Sequence, residues 1–167
     1  MTENERNILR NERMSQIRIA LSQRAGIAKA VVKQFGEQGF ETIKREVGRD
    51  IRQWVESVVR DHESRGIKND IEGLHMFLWE QNRDENIEFT YQDDKKSGIR
   101  VYTVTRCPIA EYACDNGIEE WGRFFFCDQY ELIAKTYNPG ITFICHERMM
   151  DGKACCSFSY KLPQSKE

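Results

Sequence analysis

The 167-residue sequence predicts an α+β domain: N-terminal helices packed on a four-stranded antiparallel sheet, with helices inserted between two hairpins. Three observations point there. Apolar residues recur at steps of three and four through the first half, the period of a helix with one buried face. Beyond residue 86 the pattern turns to β-branched and aromatic runs bounded by polar turns. Helical patterning then returns between residues 109 and 134, ahead of a last pair of strand-like runs. Helices first and antiparallel strands later is an α+β order.

Each element has its own signal. Met14, Ile17, Leu21, Ala28, Val31, Val32 and Phe35 predict a first helix, with breaks at Gly26 and around Gly36. Phe40, Ile43, Val47, Ile51, Trp54, Val55 and Val58 predict a second, whose intervening charged residues form a solvated face. Gly66 ends it, since glycine tolerates the left-handed conformation of a helix cap. Asn69 or Asp70 can cap a short third helix running through Leu74, Phe77 and Leu78.

Residues 87–91 and 99–105 predict a hairpin around a polar turn at 93–98, and Pro108 stops the ladder because proline has no N–H to donate. Residues 109–117 and 118–134 read as helices and Asn138-Pro139-Gly140 as a turn. Residues 141–145 and 154–160 then form a second hairpin around the two-residue turn Asp151-Gly152. The expected organisation is a flexible segment at 1–13, one domain at 14–162 (helical half 14–82, sheet-rich half 87–162) and a frayed tail at 163–167.

Composition bounds the function classes. With 40% apolar and 31% charged residues, the chain reads as folded rather than disordered. Its 25 basic and 27 acidic residues leave a net charge of −2, which argues against nucleic acid, since phosphate binding wants a basic excess. No run approaches the ~20 apolar residues of a membrane helix, so no membrane partner is expected. Residues 1–13 lack the apolar stretch of a secretory signal, and the expected location is the cytoplasm. The expected partner is a small-molecule substrate or ligand, with self-association into a homo-oligomer left open.

The six cysteines all lie beyond residue 106: Cys107, Cys114, Cys127, Cys145, Cys155 and Cys156. In a reducing compartment such thiols are buried, catalytic or metal-binding rather than disulfide-bonded. No pair has the CxxC spacing of a zinc ribbon or redox motif. Strand alternation lets only one of Cys155 and Cys156 face the interior, and the same holds for Cys145 and His146. Cys114, Cys145 and Cys155 read as small apolar side chains. Asp128 follows Cys127 and three phenylalanines, and reads equally as a site carboxylate or as an ion-pair partner of Arg123. Arg100, Arg106, Arg123 and Arg148 surround the region, and a carboxylated substrate would want one such guanidinium. His62 and His75 read as exposed or structural.

Four segments in order carry a resemblance: Val104-Thr105-Arg106-Cys107-Pro108, Phe126-Cys127-Asp128, Asn138-Pro139-Gly140, and Gly152-Lys153-Ala154-Cys155-Cys156-Ser157-Phe158. Together they resemble the L-2-amino-thiazoline-4-carboxylic acid hydrolase family. Lys153 stands where that family usually has an acid. The closing glycine-to-phenylalanine segment is also similar to 4-vinyl reductase-type small-molecule-binding domains, which share the helices-then-sheet layout and often bind ligands without catalysis.

The resemblance implies a hydrolase that opens a small heterocyclic C–N bond, at a ring carbon flanked by nitrogen and sulfur. The alternative it implies is a non-catalytic small-molecule or metal sensor. The hydrolase reading makes Cys127 the nucleophile, Asp128 the general acid/base or amidinium anchor, and His146 the base that activates the thiol. Cys107, Arg106 and Cys156 are then substrate-binding. No cofactor is expected on that route. A second route has Cys107, Cys127, His146 and Cys156 converge on a zinc ion that activates water.

Overall fold

The computed structural model describes residues 2–80, 83, 86–94 and 96–163. The polar turn expected at 93–98 and the tail expected at 163–167 fall partly outside these residues. The first helix, α1 (Glu3–Ser64), begins ahead of the start at Met14 that periodicity suggests. Its start is held by a capping box: the Glu5 N–H donates to Thr2 Oγ1 (3.3 Å) and the Thr2 N–H donates to Glu5 Oε2 (2.7 Å). Gly36 interrupts the helix at φ 58° and ψ −141°, a conformation that a side chain would disfavour. The chain therefore forms two arms, 3–35 and 37–64, as the expected break near Gly36 requires. Gly26 causes no break; it lies within the first arm.

Asp70 caps α2 (Ile71–Leu74), its carboxylate accepting from the N–H groups of Glu72 and Gly73. The helix continues as a π-helical turn, His75–Trp79, which buries His75, Phe77, Leu78 and Trp79. The sheet follows, with β1 (Glu88–Asp94) and β2 (Ile99–Arg106) paired antiparallel as expected. Three helices separate it from the second strand pair: α3 (Pro108–Asp115), α4 (Glu119–Phe125) and α5 (Tyr130–Tyr137). The single helix expected at 118–134 is broken because Phe126 leaves helical geometry (φ −121°, ψ −64°), and Cys127–Gln129 forms a 3₁₀ turn. The Gln129 amide donates to the Phe124 carbonyl across this break.

The last strands are β3 (Thr142–Glu147) and β4 (Cys156–Lys161). They pair antiparallel, but not through a two-residue turn. The 3₁₀ turn Met149–Asp151 and Gly152 (φ 79°) form a longer connection, and the return strand starts at Cys156 rather than Ala154. Met150 explains the difference: its side chain is buried against Gly122 of α4 and holds the connection down. Strand order is β1-β2-β4-β3, so β4 joins the two hairpins into one sheet.

Register decides which residues meet the helices. Tyr102 pairs with Phe158, Val104 with Cys156, Phe143 with Tyr160 and Cys145 with Phe158, all on the covered face. Trp79 lies flat on Tyr102 there, and Tyr130 of α5 packs against Phe143 and Phe158. Thr103, Ser157, Ser159 and Ile144 lie on the opposite face. Among the described residues, no helix is long and apolar enough to cross a membrane.

Candidate functional site

Cys127 sits in the 3₁₀ turn between α4 and α5 and is buried. Burial pushes its thiol well above the ordinary cysteine value, and the neighbouring Cys107 and Cys156 push it further. The nearby Arg148 guanidinium opposes this only in part. Cys107 precedes Pro108 at the start of α3. Burial raises its thiol to about 11, against the opposing influence of the Ile109 and Ala110 N–H groups. Cys156 is the buried member of the Cys155-Cys156 pair and accepts the Met149 N–H at 3.2 Å. The fold therefore gathers Cys107, Cys127 and Cys156 on the covered side of the sheet, as protonated thiols at neutral pH.

The other two expected catalytic groups are not brought to them. Cys145 is in register opposite Phe158, so alternation along β3 sends His146 to the open face of the sheet, where its Nε2 lies 3.0 Å from Ser159 Oγ. Cys145 turns inward, opposite Phe158. A base on the far face of a sheet cannot take a proton from Cys127, so the expected Cys127–His146 pairing is not formed. Asp128 is at the surface and already paired: its Oδ1 lies 3.0 Å from Arg148 Nη2 and its Oδ2 3.8 Å from Arg123 Nε. Of its two readings, the ion pair with Arg123 is present. Arg106 is a surface residue between Glu88 and Glu111.

The same placement bears on zinc. With His146 on the other face, Cys107, Cys127, His146 and Cys156 do not fit one tetrahedral ion. Among the described residues, no group of three or more His, Cys, Asp or Glu side chains is arranged to hold a metal.

Two other features stand out. A cavity of about 620 Å³ lies between the two arms of α1 and the α4–α5 junction. Its walls are aromatic and aliphatic: Trp54, Leu78, Phe125, Phe126, Tyr130 and Ile133. Arg24, Asp50 and Gln129 supply polar groups. This size lies inside the range of small-molecule pockets, about 300–1,000 Å³, and a mostly apolar lining with few polar groups is their usual make-up. In the sequence these residues are scattered from 24 to 133, and the apolar ones among them read only as members of helix periods.

The second feature is a buried polar chain. His75 Nδ1 lies 2.8 Å from the Tyr102 hydroxyl and His75 Nε2 lies 2.9 Å from Glu80 Oε1. Burial and the Arg100 charge lower the His75 pKa, which favours a neutral ring that donates to Glu80 and accepts from Tyr102. Arg100, also buried, donates to Glu72 at 2.8 Å and to Asp93, and stacks over Tyr91. Of the two readings of His75 the structural one applies. His62 is likewise buried, 2.8 Å from the Tyr137 hydroxyl. The alternation of β2 carried a signal for Arg100: it shares a face with Tyr102 and Val104, where a charge must find partners.

Helices on one face of an antiparallel sheet, with a small apolar cavity beneath a helical arm, define a ligand-sized α+β domain. The chain belongs to the L-2-amino-thiazoline-4-carboxylic acid hydrolase family, whose model matches residues 13–160. No curated protein matches it. Among solved structures, it is similar to the crystal structure of the phenol-responsive sensory domain of the transcription activator PoxR with phenol. That similarity has a TM-score of 0.47 and 13% identity, and covers 85% of this chain and 74% of that one.

Proposed function

We propose that this protein binds a small ring-shaped organic molecule in the cavity between α1 and the α4–α5 junction. The observation that carries the reading is the cavity itself, about 620 Å³ with apolar walls and three polar side chains. Trp54, Phe125 and Phe126 offer faces for a flat ring. Arg24 can take a carboxylate through two parallel N–H donors, and Asp50 can take an amidinium or ammonium. A small heterocycle bearing both charges suits that pairing.

Hydrolytic opening of such a ring is the second reading, favoured by membership of a family named for a hydrolase. On this reading Asp50 holds the amidinium and accepts a proton from the attacking water; the water oxygen bonds to the amidinium carbon, one ring bond at that carbon breaks, and the proton passes from Asp50 to the departing ring atom. Cys127 is a poor candidate for nucleophile, because its buried thiol stays protonated.

Both readings are tested by titrating the purified chain with L-2-amino-thiazoline-4-carboxylic acid. Tryptophan fluorescence and calorimetry report binding, and mass spectrometry of the mixture reports turnover. Saturable binding weakened by Arg24→Ala supports the site, and a ring-opened product adds the hydrolase. Absence of binding at millimolar ligand, for this compound and for simple aromatic carboxylates, would sink the first reading.

A further inference from the structure

A second hollow, of about 570 Å³, lies between the second arm of α1 and the α4–α5 junction. Among the described residues, Gln129 is the one wall it shares with the Trp54 cavity. Along the arm its wall is the row Phe40, Lys44, Gly48 and Arg52, four residues apart and so on one face of the helix. At ~1.5 Å per residue that row is about 18 Å long. Phe40 closes one end, its ring 5.4 Å from that of Phe124, and Leu132 of α5 faces the middle.

Gly48 is the unexpected member of the row. It is buried in mid-helix, where glycine weakens a helix relative to alanine. The protein's own packing does not ask for it. An added Cβ would meet only ordinary contacts, 3.5 and 3.6 Å from the Arg52 guanidinium nitrogens and 3.7 Å from Leu132 Cδ2. Gly39, by contrast, stands where a Cβ would come within 2.9 Å of the Val31 carbonyl oxygen. What a side chain at 48 would take is room in the hollow.

Arg52 is the second sign. Its fork rests over the notch that Gly48 leaves, beside Leu132. The other charges of the hollow are matched: Lys44 lies 3.5 Å from Glu41, Arg45 lies 3.2 Å from Glu46, and Asp128 is held by Arg148 and Arg123. Among the described residues, no carboxylate pairs with Arg52. A guanidinium laid over an apolar floor presents two parallel donors to one carboxylate.

We propose that this hollow is a second ligand site, separate from the cavity of the proposed function, and that it takes a monocarboxylate with a slender apolar body, of the medium-chain fatty acid class. The carboxylate meets the Arg52 fork above Gly48, and the chain runs toward Phe40 along Leu132 and Phe124. The volume lies within the usual range of small-molecule sites, about 300–1,000 Å³. Glu41 and Asp128 at the rim oppose a second negative charge.

The test is calorimetric titration of the full chain with octanoate and with octanamide, its uncharged analogue. Octanoate should bind saturably, and octanamide at least ~10-fold more weakly, the size of a lost hydrogen bond to a charged group. Arg52→Gln should cost octanoate the same factor, and Gly48→Leu, which fills the notch, should abolish its binding. Gly48→Ala should melt no lower than the parent chain, since its methyl meets no clash. Arg24→Ala should leave octanoate binding unchanged, so this site and the Trp54 cavity stand or fall separately. Absence of saturable octanoate binding at millimolar concentration overturns the proposal. So does binding that survives both Arg52→Gln and Gly48→Leu, binding lost with Arg24→Ala instead, or equal affinity for the amide. A Gly48→Ala chain that melts lower also overturns it, by returning the glycine to the needs of the fold.

Discussion

Trp79 lies flat against Tyr102, with ring centroids 4.0 Å apart and planes 10° from parallel. This stack joins the π-helical turn to the centre of the sheet. Trp79 also lies nearly parallel to Tyr130, a wall of the cavity, at 5.9 Å. The Tyr102 hydroxyl continues the contact into the polar chain through His75. One tryptophan thus ties the cavity wall, the sheet and the buried histidine together. Trp79→Ala should destabilise the fold by about 3–5 kcal/mol, the usual cost of removing a fully buried large aromatic. Tyr102→Phe keeps the stack but strips His75 Nδ1 of its partner, and should cost about 1–3 kcal/mol. Urea unfolding measures both; a Trp79→Ala loss below about 1 kcal/mol would contradict this account.

His75 makes stability depend on pH. Its folded pKa lies below the ordinary histidine value of 6.5, chiefly through burial and then through the Arg100 charge. The unfolded chain therefore binds the proton more readily. Stability is fully present above about pH 6.5 and falls as pH drops from there toward the folded pKa. Denaturation midpoints at pH 7.5 and 5.5 should differ accordingly, and His75→Gln should flatten the difference. An unchanged slope in that variant would assign the effect elsewhere.

The thiols should separate sharply by reactivity. Cys114 is exposed, whereas Cys127 and Cys156 are buried and held protonated by desolvation. Brief alkylation at pH 7.5 followed by peptide mass spectrometry should find Cys114 modified first. Cys127 and Cys156 should react only in denaturant. Rapid native labelling of Cys127 would revive a thiolate mechanism.

Asp128 should be nearly silent. Its partners Arg123 and Arg148 lie at the surface or half-buried, where such pairs are worth roughly 0–1 kcal/mol. Asp128→Asn should shift stability by less than that and leave ligand affinity unchanged, while Arg24→Ala weakens it. Parallel titrations of the two variants decide the point.

Gly73 leaves no room for a side chain. A Cβ there would collide with the Lys68 carbonyl oxygen and the Tyr137 hydroxyl. Gly73→Ala must displace backbone on one side and the His62–Tyr137 pair on the other, and should cost about 1–3 kcal/mol, the usual overpacking penalty. Thermal melts of the variant and the parent give the comparison.

The amino-acid sequence by itself determined the α+β order, a helix break at Gly26 or near Gly36, a helix cap at Asn69 or Asp70, the strand positions to within a few residues, and the family. These follow from local rules: helix and strand periods, glycine at positive φ, and side chains that cap nearby N–H groups. It also foretold that Cys145 and His146 would face opposite ways, since alternation is a property of one strand. Which way each faced was decided only when β4 paired between β2 and β3 and set Cys145 opposite Phe158. The cavity likewise depends on tertiary packing, because Arg24, Trp54, Leu78 and Phe126 are distant in sequence and share a wall only after the arms of α1 close on α4 and α5. Convergence of that kind comes from burying apolar faces against one another, and no local period records which faces will meet.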